Sequence, residues 1–308
     1  SVLSVVIILL ASISTFIGSF ISQISIQAQE FSERVDQATM MNEFKALGDR
    51  ATSAMPSFMK NEQSSSDYLA NKLTEITQSI LGSLGSLVSI IGNFMVIAIM
   101  VFIFTIILLS EYHKFKKTLV NSIPNKFFEV GLKLIYNIEK SVSSYLRGQF
   151  LSAASVAGMS IAGLLLLNFF GANITLVIFI GIIAGLANLI PLVGPFVGMI
   201  PALLIAFMNN LGNDAATSHM FLGTIPSPFF SIDIIFMFLI VQQIEGNLIT
   251  PALVGKSVGI HPMLVMIVLL IGGTLLGPLG MLFAVPATGV IKVIIKEIAF
   301  VRKNSHLL

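Results

Sequence analysis

The chain is 308 residues long, 55% hydrophobic and only 10% charged, with a mean hydropathy of +0.94 and a net charge of +2. A soluble domain carries about 25% charged residues, so this composition points to an integral membrane protein, and its apolar runs are too long for barrel strands. The small, dispersed charge gives no footprint for nucleic acid. The absence of cysteine excludes disulfides, a thiol nucleophile and a Cys-ligated metal.

Residues 1–26 read as a transmembrane span. They open on Ser1 inside the run "SVLSVVIILLASISTFIGSF" with no basic flank. The expectation is a span whose upstream helices are missing, not a signal peptide. Residues 27–82 are expected to be an extracytoplasmic helical hairpin region. Phe31, Val35, Ala38 and Asn42 recur at helical spacing, and "ATSAMPSFMKNEQSSSDY" supplies the turn. Residues 83–110 form the next span.

Residues 111–148 carry Lys114, Lys116, Lys117, Lys126, Lys133, Lys140 and Arg147 against three acids, whereas 27–80 carries eight acids against five basic residues. The positive-inside rule therefore puts 111–148 in the cytoplasm and 27–80 outside. Phe128, Leu132, Ile135, Ile138, Val142 and Tyr145 line one face of a helix there. That face suits either an anionic-lipid interface or a neighbouring subunit.

Two transmembrane halves follow. Residues 149–209 comprise one span and an apolar stretch broken by "NLIPLVGPFVGMIP". Residues 210–228 are an outer loop. Residues 229–296 comprise a second span and a stretch broken by "GGTLLGPLGMLFAVP". Residues 297–308 are a cytoplasmic tail. Proline and glycine break helices, and backbone groups freed in lipid need protein or water partners. Each stretch is therefore expected to be a helical hairpin, with its tip set by Pro191, Gly194 and Pro195 in the first and by Gly277, Pro278 and Gly280 in the second. The fold class is all-α, polytopic, with two broken hairpins. The similar tips "GPFVGM" and "GPLGM" suggest inverted repeats with a transport site between them, although they also read simply as tight turns.

No HExxH, GxSxG or P-loop motif is present. The histidines at 113, 219, 261 and 306 are scattered. No metal, cofactor or enzymatic activity is expected, and energy coupling would come from an ion gradient. "QQIEGNLITP" places Glu245 between two apolar runs. If the chain unwinds at Gly246 before Pro251, freed carbonyls with Glu245 and Asn247 could hold a proton or Na⁺. Alternatively, Glu245 pairs with Lys256 or Arg147, or accepts backbone hydrogen bonds. Asn188, before Pro191, either ties helices together or contacts a polar solute. Asp233 opens its span and either faces water or takes part in flux.

The runs "NLIPLVGPFVGMIPALLIAF" and "QQIEGNLITPALVGKSVGIHPMLVMIVLLIGGTLLGPLGMLFAVPATGVIKVII", with "EYHKFKKTLVNSIP" and "SVSSYLRGQFL", resemble the autoinducer-2 exporter (AI-2E) family over essentially the whole chain. The family pattern falls on Asn188, Pro191, Gly194, Pro195, Glu245, Asn247, Pro251, Gly255, Lys256, Gly259, His261, Pro262, Gly277, Pro278, Gly280 and Pro286. The resemblance implies a multi-pass protein of the bacterial inner membrane that exports small polar solutes of the autoinducer-2 kind. It leaves a Na⁺(Li⁺)/H⁺ antiporter as an alternative. A scaffold that binds a partner through 27–82 remains a reading of another class. The expected partners are the bilayer, a small polar solute or monovalent cation or proton, and further copies of the chain in a homo-oligomer.

Overall fold

The computed structural model describes residues 111–253 and 261–303, together with scattered helical residues between 11 and 29. Most of the expected span 1–26, the outer region 27–82, the span 83–110, Lys256 and the last five residues lie outside the described residues. What is described is mostly helical, with one β-ribbon of two two-residue strands, Met220–Phe221 paired antiparallel with Ile225–Pro226 in the 210–228 loop.

A helical stretch at 111–121 precedes the 42-residue helix α1, Phe128–Phe169. Sequence alone suggested a boundary at 148/149 between an interfacial helix and a span. The structure has none, because no proline interrupts the run and Gly148 tolerates helix. At 1.5 Å per residue α1 is about 63 Å long, roughly twice a ~30 Å hydrocarbon core. Its first half is basic and its second half apolar.

Helix α2, Val177–Ala187, is only 11 residues long, about 16 Å, too short to cross. Residues 188–193 turn the chain, with Leu192 at φ 72°. Helix α3, Gly194–Asn210, then folds back. A side chain on Gly198 would meet the Ala184 Cβ at 2.6 Å, so α2 and α3 are in backbone-close contact near the tip. The broken segment at 175–209 is a hairpin. Its tip is fixed by Pro191, by the left-handed Leu192 and by Gly194–Pro195, which start α3.

After the short helix α4, Asp214–Thr217, and the ribbon comes helix α5, Ser231–Ile244. A five-residue π turn, Glu245–Ile249, continues it into helix α6, Thr250–Leu253. The stretch α7, Pro262–Lys303, is two helical arms that meet at Gly277. Gly277 has φ 63° and ψ −144°, which a right-handed helix cannot contain. A Cβ built on Gly272 would collide with the Gly280 carbonyl, and one on Gly280 with that of Gly272. In a straight helix residues eight apart are about 12 Å apart, so the chain reverses at Gly277. Pro278 then occupies the first helical position, where its missing N–H costs nothing.

The described residues group into two compact units. One contains 164–179 and 200–236. There Asn168 closes the turn after α1 through reciprocal 2.6 Å bonds with Ile174, and Asn210 Nδ2 donates to Ala172 O at 2.6 Å. The Phe207 and Phe229 rings meet edge to face at 5.1 Å.

The other unit contains 111–163, 180–199, 237–253 and 261–303. Tyr145 of α1 is buried with Leu269 and Val285 from the two arms of α7, and Ile190 and Leu253 pack on the group. Gly181 and Gly185 lie against Ala157, Ile161 and the Ala153 carbonyl, which brings α2 close to α1. At the basic end Glu297 accepts a 2.7 Å bond from Asn137 and lies 3.5 Å from Lys133.

Apolar side chains are exposed along the helices: Phe169 is 85% accessible, and Leu275 and Leu276 over 70%. Among the described residues, α1, the segment Pro228–Leu253 and α7 are long and apolar enough to cross a membrane. The reversal at Gly277 divides the last into arms of about 15 and about 26 residues. Hydrocarbon is the solvent that suits such a surface.

Candidate functional site

Glu245 is the centre of a buried polar cluster. It is 2% accessible, at the first position of the π turn. The reason for that turn is Pro251. A proline has no N–H for the carbonyl four residues back, and its ring crowds that carbonyl. Widening the helix by one residue lets Thr250 N–H reach Glu245 O instead. The chain therefore stays helical through Gly246 and does not unwind there. Glu245 does not reach water either, which corrects the expectation of an unwound, hydrated site.

Three side chains donate to the carboxylate. Thr250 Oγ1 reaches Oε1 at 2.6 Å, Ser152 Oγ reaches Oε1 at 3.2 Å, and Gln242 Nε2 reaches Oε2 at 3.3 Å. No cation among the described residues pairs with it. Arg147, on α1, is exposed and forms no ion pair with it. An ionised carboxylate can only accept, so the direction of these bonds is fixed while Glu245 is charged.

The network continues to the first hairpin. Asn188, fully buried and immediately after α2, donates from Nδ2 to Ser152 Oγ at 3.1 Å, and its backbone carbonyl accepts Gln149 Nε2 at 2.5 Å. Gln149 and Ser152 are themselves buried, three residues apart on the face of α1 that also holds Tyr145. Two acceptors of this network, Asn188 Oδ1 and Gln242 Oε1, have no donor among the described residues. Buried polar atoms are normally paired, so these mark the neighbourhood of Glu245 as unfinished.

The other expected site residues fall elsewhere. Asn247 is exposed and donates to Gln243 Oε1 at 2.9 Å, away from the cluster. Residues two apart on a helical turn point to opposite sides, so Glu245 and Asn247 face opposite ways. Asp233 belongs to the unit that contains residues 200–236. Ser227 Oγ donates to its Oδ2 at 2.5 Å, and His219 Nε2 lies 3.4 Å away, its ring stacked on Phe230 at 3.9 Å. His219 is thus packed rather than solvated. Gly194 borders the Asn188 amide, with its vacant Cβ position 2.9 Å from Oδ1. Pro195 is buried beside it, and Pro191 lies in the turn. Gly277, Pro278 and Gly280 form the second tip. No cluster of metal-ligating side chains occurs among the described residues.

Sequence reading missed Gln149, Ser152 and Thr250. Their signal was weak but present: Tyr145, Gln149 and Ser152 repeat at helical spacing into an otherwise apolar run.

The comparisons with known proteins agree with a membrane transporter. The description "AI-2E family transporter" matches residues 1–300. Over 236 residues the chain is 30% identical to "Putative transport protein YueF" of Bacillus subtilis (strain 168), covering 77% of this chain and 57% of that protein. It is 32% identical over 228 residues to "Putative transport protein YrrI" of the same organism, covering 74% and 58%. A shorter match of 62 residues, 34% identical, links it to "AI-2 transport protein TqsA" of Escherichia coli (strain K12), covering 20% and 18%. The chain spans somewhat over half the length of the first two relatives. By a match that runs from its first residue to residue 300, this polytopic helical membrane protein belongs to the AI-2E family of transporters.

Proposed function

We propose that the chain works as a proton-coupled secondary transporter that exports small polar solutes, of the kind named in the E. coli relative, across the bacterial inner membrane. The observation that carries this reading is Glu245: a carboxylate with neutral hydrogen-bond partners and no counter-ion among the described residues. Burying such a charge is costly unless it is useful. Taking a proton removes the charge, which makes the group fit to couple a proton gradient to a change in packing.

The surroundings support such a change. Two interrupted hairpins, α2–α3 and the arms of α7, leave the chain with discontinuous helices of the sort from which transport sites are built. The resemblance of their tips supports an inverted-repeat arrangement with the solute between the halves. The basic first half of α1 and the basic end of α7 support a cytoplasmic placement for both. The exposed apolar faces leave room for further copies in a homo-oligomer.

The test is counterflow and gradient-driven flux in proteoliposomes with a panel of polar solutes, with pH and Na⁺ gradients imposed separately. Flux driven by the pH gradient in wild type, and uncoupled from it in Glu245→Gln, is the expected result. Flux indifferent to pH in wild type would overturn the proton assignment.

A further inference from the structure

We propose that Ser152 and Asn188 form a two-state hydrogen-bond relay through which protonation of Glu245 resets the tip of the α2–α3 hairpin, an inference that rests on the coupling role given to Glu245 above. The Ser152 hydroxyl has a single hydrogen to give. While Glu245 is ionised that hydrogen must point at Oε1, 3.2 Å away, and the Ser152 oxygen is left to accept from Asn188 Nδ2 at 3.1 Å. The chain of donors runs from Asn188 to Ser152 to Glu245. Asn188 Oδ1 then faces no donor, so the ionised state leaves a buried acceptor unmet.

A proton on Glu245 Oε1 reverses the order. The carboxyl O–H donates to the Ser152 oxygen, the Ser152 hydrogen turns toward Asn188, and the amide turns over to present Oδ1 to it. Only hydrogen bonds change, and the proton stays on Glu245. The orphaned Asn188 oxygen gains its donor. Its Nδ2 moves to the side where Oδ1 had been, along the notch of Gly194, which the Ala184 carbonyl also borders. The vacant Gly194 Cβ position lies 2.9 Å from Asn188 Oδ1 and 2.6 Å from Ala184 O. The turned amide therefore points a donor into the notch that the Ala184 carbonyl borders.

The relay ends on the residue where α2 stops. The backbone of Asn188 is held on both sides, by its N–H to Ala184 O at 3.0 Å and by Gln149 Nε2 to its carbonyl. Its side chain is the switchable tie. The turn beyond it contains the left-handed Leu192, so it can respond to a change in that tie.

Charged competitors are sparse. Residues 177–210 and 262–291 carry no titratable side chain. On α1 the groups nearest in sequence to Ser152 are Tyr145, buried in the apolar group with α7, and Arg147, which is exposed. Of the distal groups on α7, Glu297 is engaged by Asn137 and Lys133. Helix α5 contributes only neutral Gln242 and Gln243 on the Glu245 side of Phe238.

The cysteine-free chain allows one spin label, at Leu192→Cys, an exposed tip residue. Its mobility is followed with pH in nanodiscs, alongside the infrared carboxyl band of Glu245. In wild type the ratio of the two spectral components should change about fivefold as Glu245 takes its proton, the factor that one hydrogen bond supports. Ser152→Ala should lose that change while keeping the carboxyl band, and Ser152→Thr, which retains the hydroxyl, should restore it. A tip response that survives in Ser152→Ala, or a Glu245 band that titrates in wild type with no tip response, overturns the relay alone. A Glu245 band that never changes overturns the proton-coupling reading and the relay with it.

Discussion

Substituting Gly194 by alanine tests the packing that brings Asn188 to Ser152. The added methyl would lie 2.5 Å from Asn188 Cβ, 2.6 Å from the Ala184 carbonyl oxygen and 2.9 Å from Asn188 Oδ1. Carbon contacts settle at about 3.5–4.0 Å, so the shortfall is about 1 Å against two residues at once. One of the obstructing atoms is backbone and moves only if the end of α2 moves with it. Overpacking of this kind costs about 1–3 kcal/mol. The displacement also falls on Asn188, which loses its 3.1 Å bond to Ser152. Reversible unfolding by SDS titration in mixed micelles gives the free-energy change. Gly158→Ala, whose added methyl would meet nothing within 4 Å, is the control and should leave stability unchanged or raise it slightly. A Gly194→Ala protein as stable as wild type, within about 0.5 kcal/mol, would refute the close approach of α3 to the end of α2.

Gly277→Ala should destabilise for a different reason on the same SDS titration: no atom lies within 4 Å of the new methyl, so the cost is backbone strain at φ 63° and ψ −144°, about 1–3 kcal/mol. Glu245→Gln should fold well, because the oxygen still accepts from Ser152 and Thr250 while Gln242 turns its partnerless Oε1 to the new amide. Glu245→Ala strands the Gln242 amide at about 1–3 kcal/mol and removes one methylene at about 0.8 kcal/mol, so it should be less stable than the Gln variant by about 3 kcal/mol, and equal stability would contradict the cluster. The Tyr112 hydroxyl, with Lys116, holds the Glu139 carboxyl below its usual 4.5, and Glu139 raises Lys116 in return. A lowered carboxyl stabilises the fold above its ordinary value and ceases to do so as pH falls through the lowered one. A spin-label pair on 111–121 and α1 should therefore separate in acid, below about pH 4, and not between neutral pH and the ordinary lysine range.

Much of the hairpin architecture was legible because proline and glycine act locally. Pro191 with Gly194–Pro195, and Gly277–Pro278, could be read as tips without knowing what they packed against. Glu245 was legible because a lone carboxylate among apolar runs is rare. Its partners were not, for two reasons. Ser152 and Gln149 are ordinary in a long helix, and only the fold brings α1 against the end of α2 and the π turn. The unwinding expected at Gly246 rested on the right residues, Gly246 and Pro251, but a helix has a cheaper response to proline than melting. It widened by one residue, with Thr250 N–H on the Glu245 carbonyl, and turned Asn247 away from Glu245. The helix runs on through 148/149 because a shift from basic to apolar composition carries no backbone signal that ends a helix.

If Glu245 takes and gives the coupling proton, infrared difference spectroscopy can detect it without knowledge of the solute. Purified protein in nanodiscs is stepped between alkaline and acid pH, and the band of a protonated, buried carboxyl is recorded. Glu297, the other buried carboxylate among the described residues, is replaced in a parallel Glu297→Gln sample. Proton coupling at Glu245 predicts a reversible band in wild type that persists in Glu297→Gln and vanishes in Glu245→Gln. An identical difference spectrum in wild type and Glu245→Gln would contradict it.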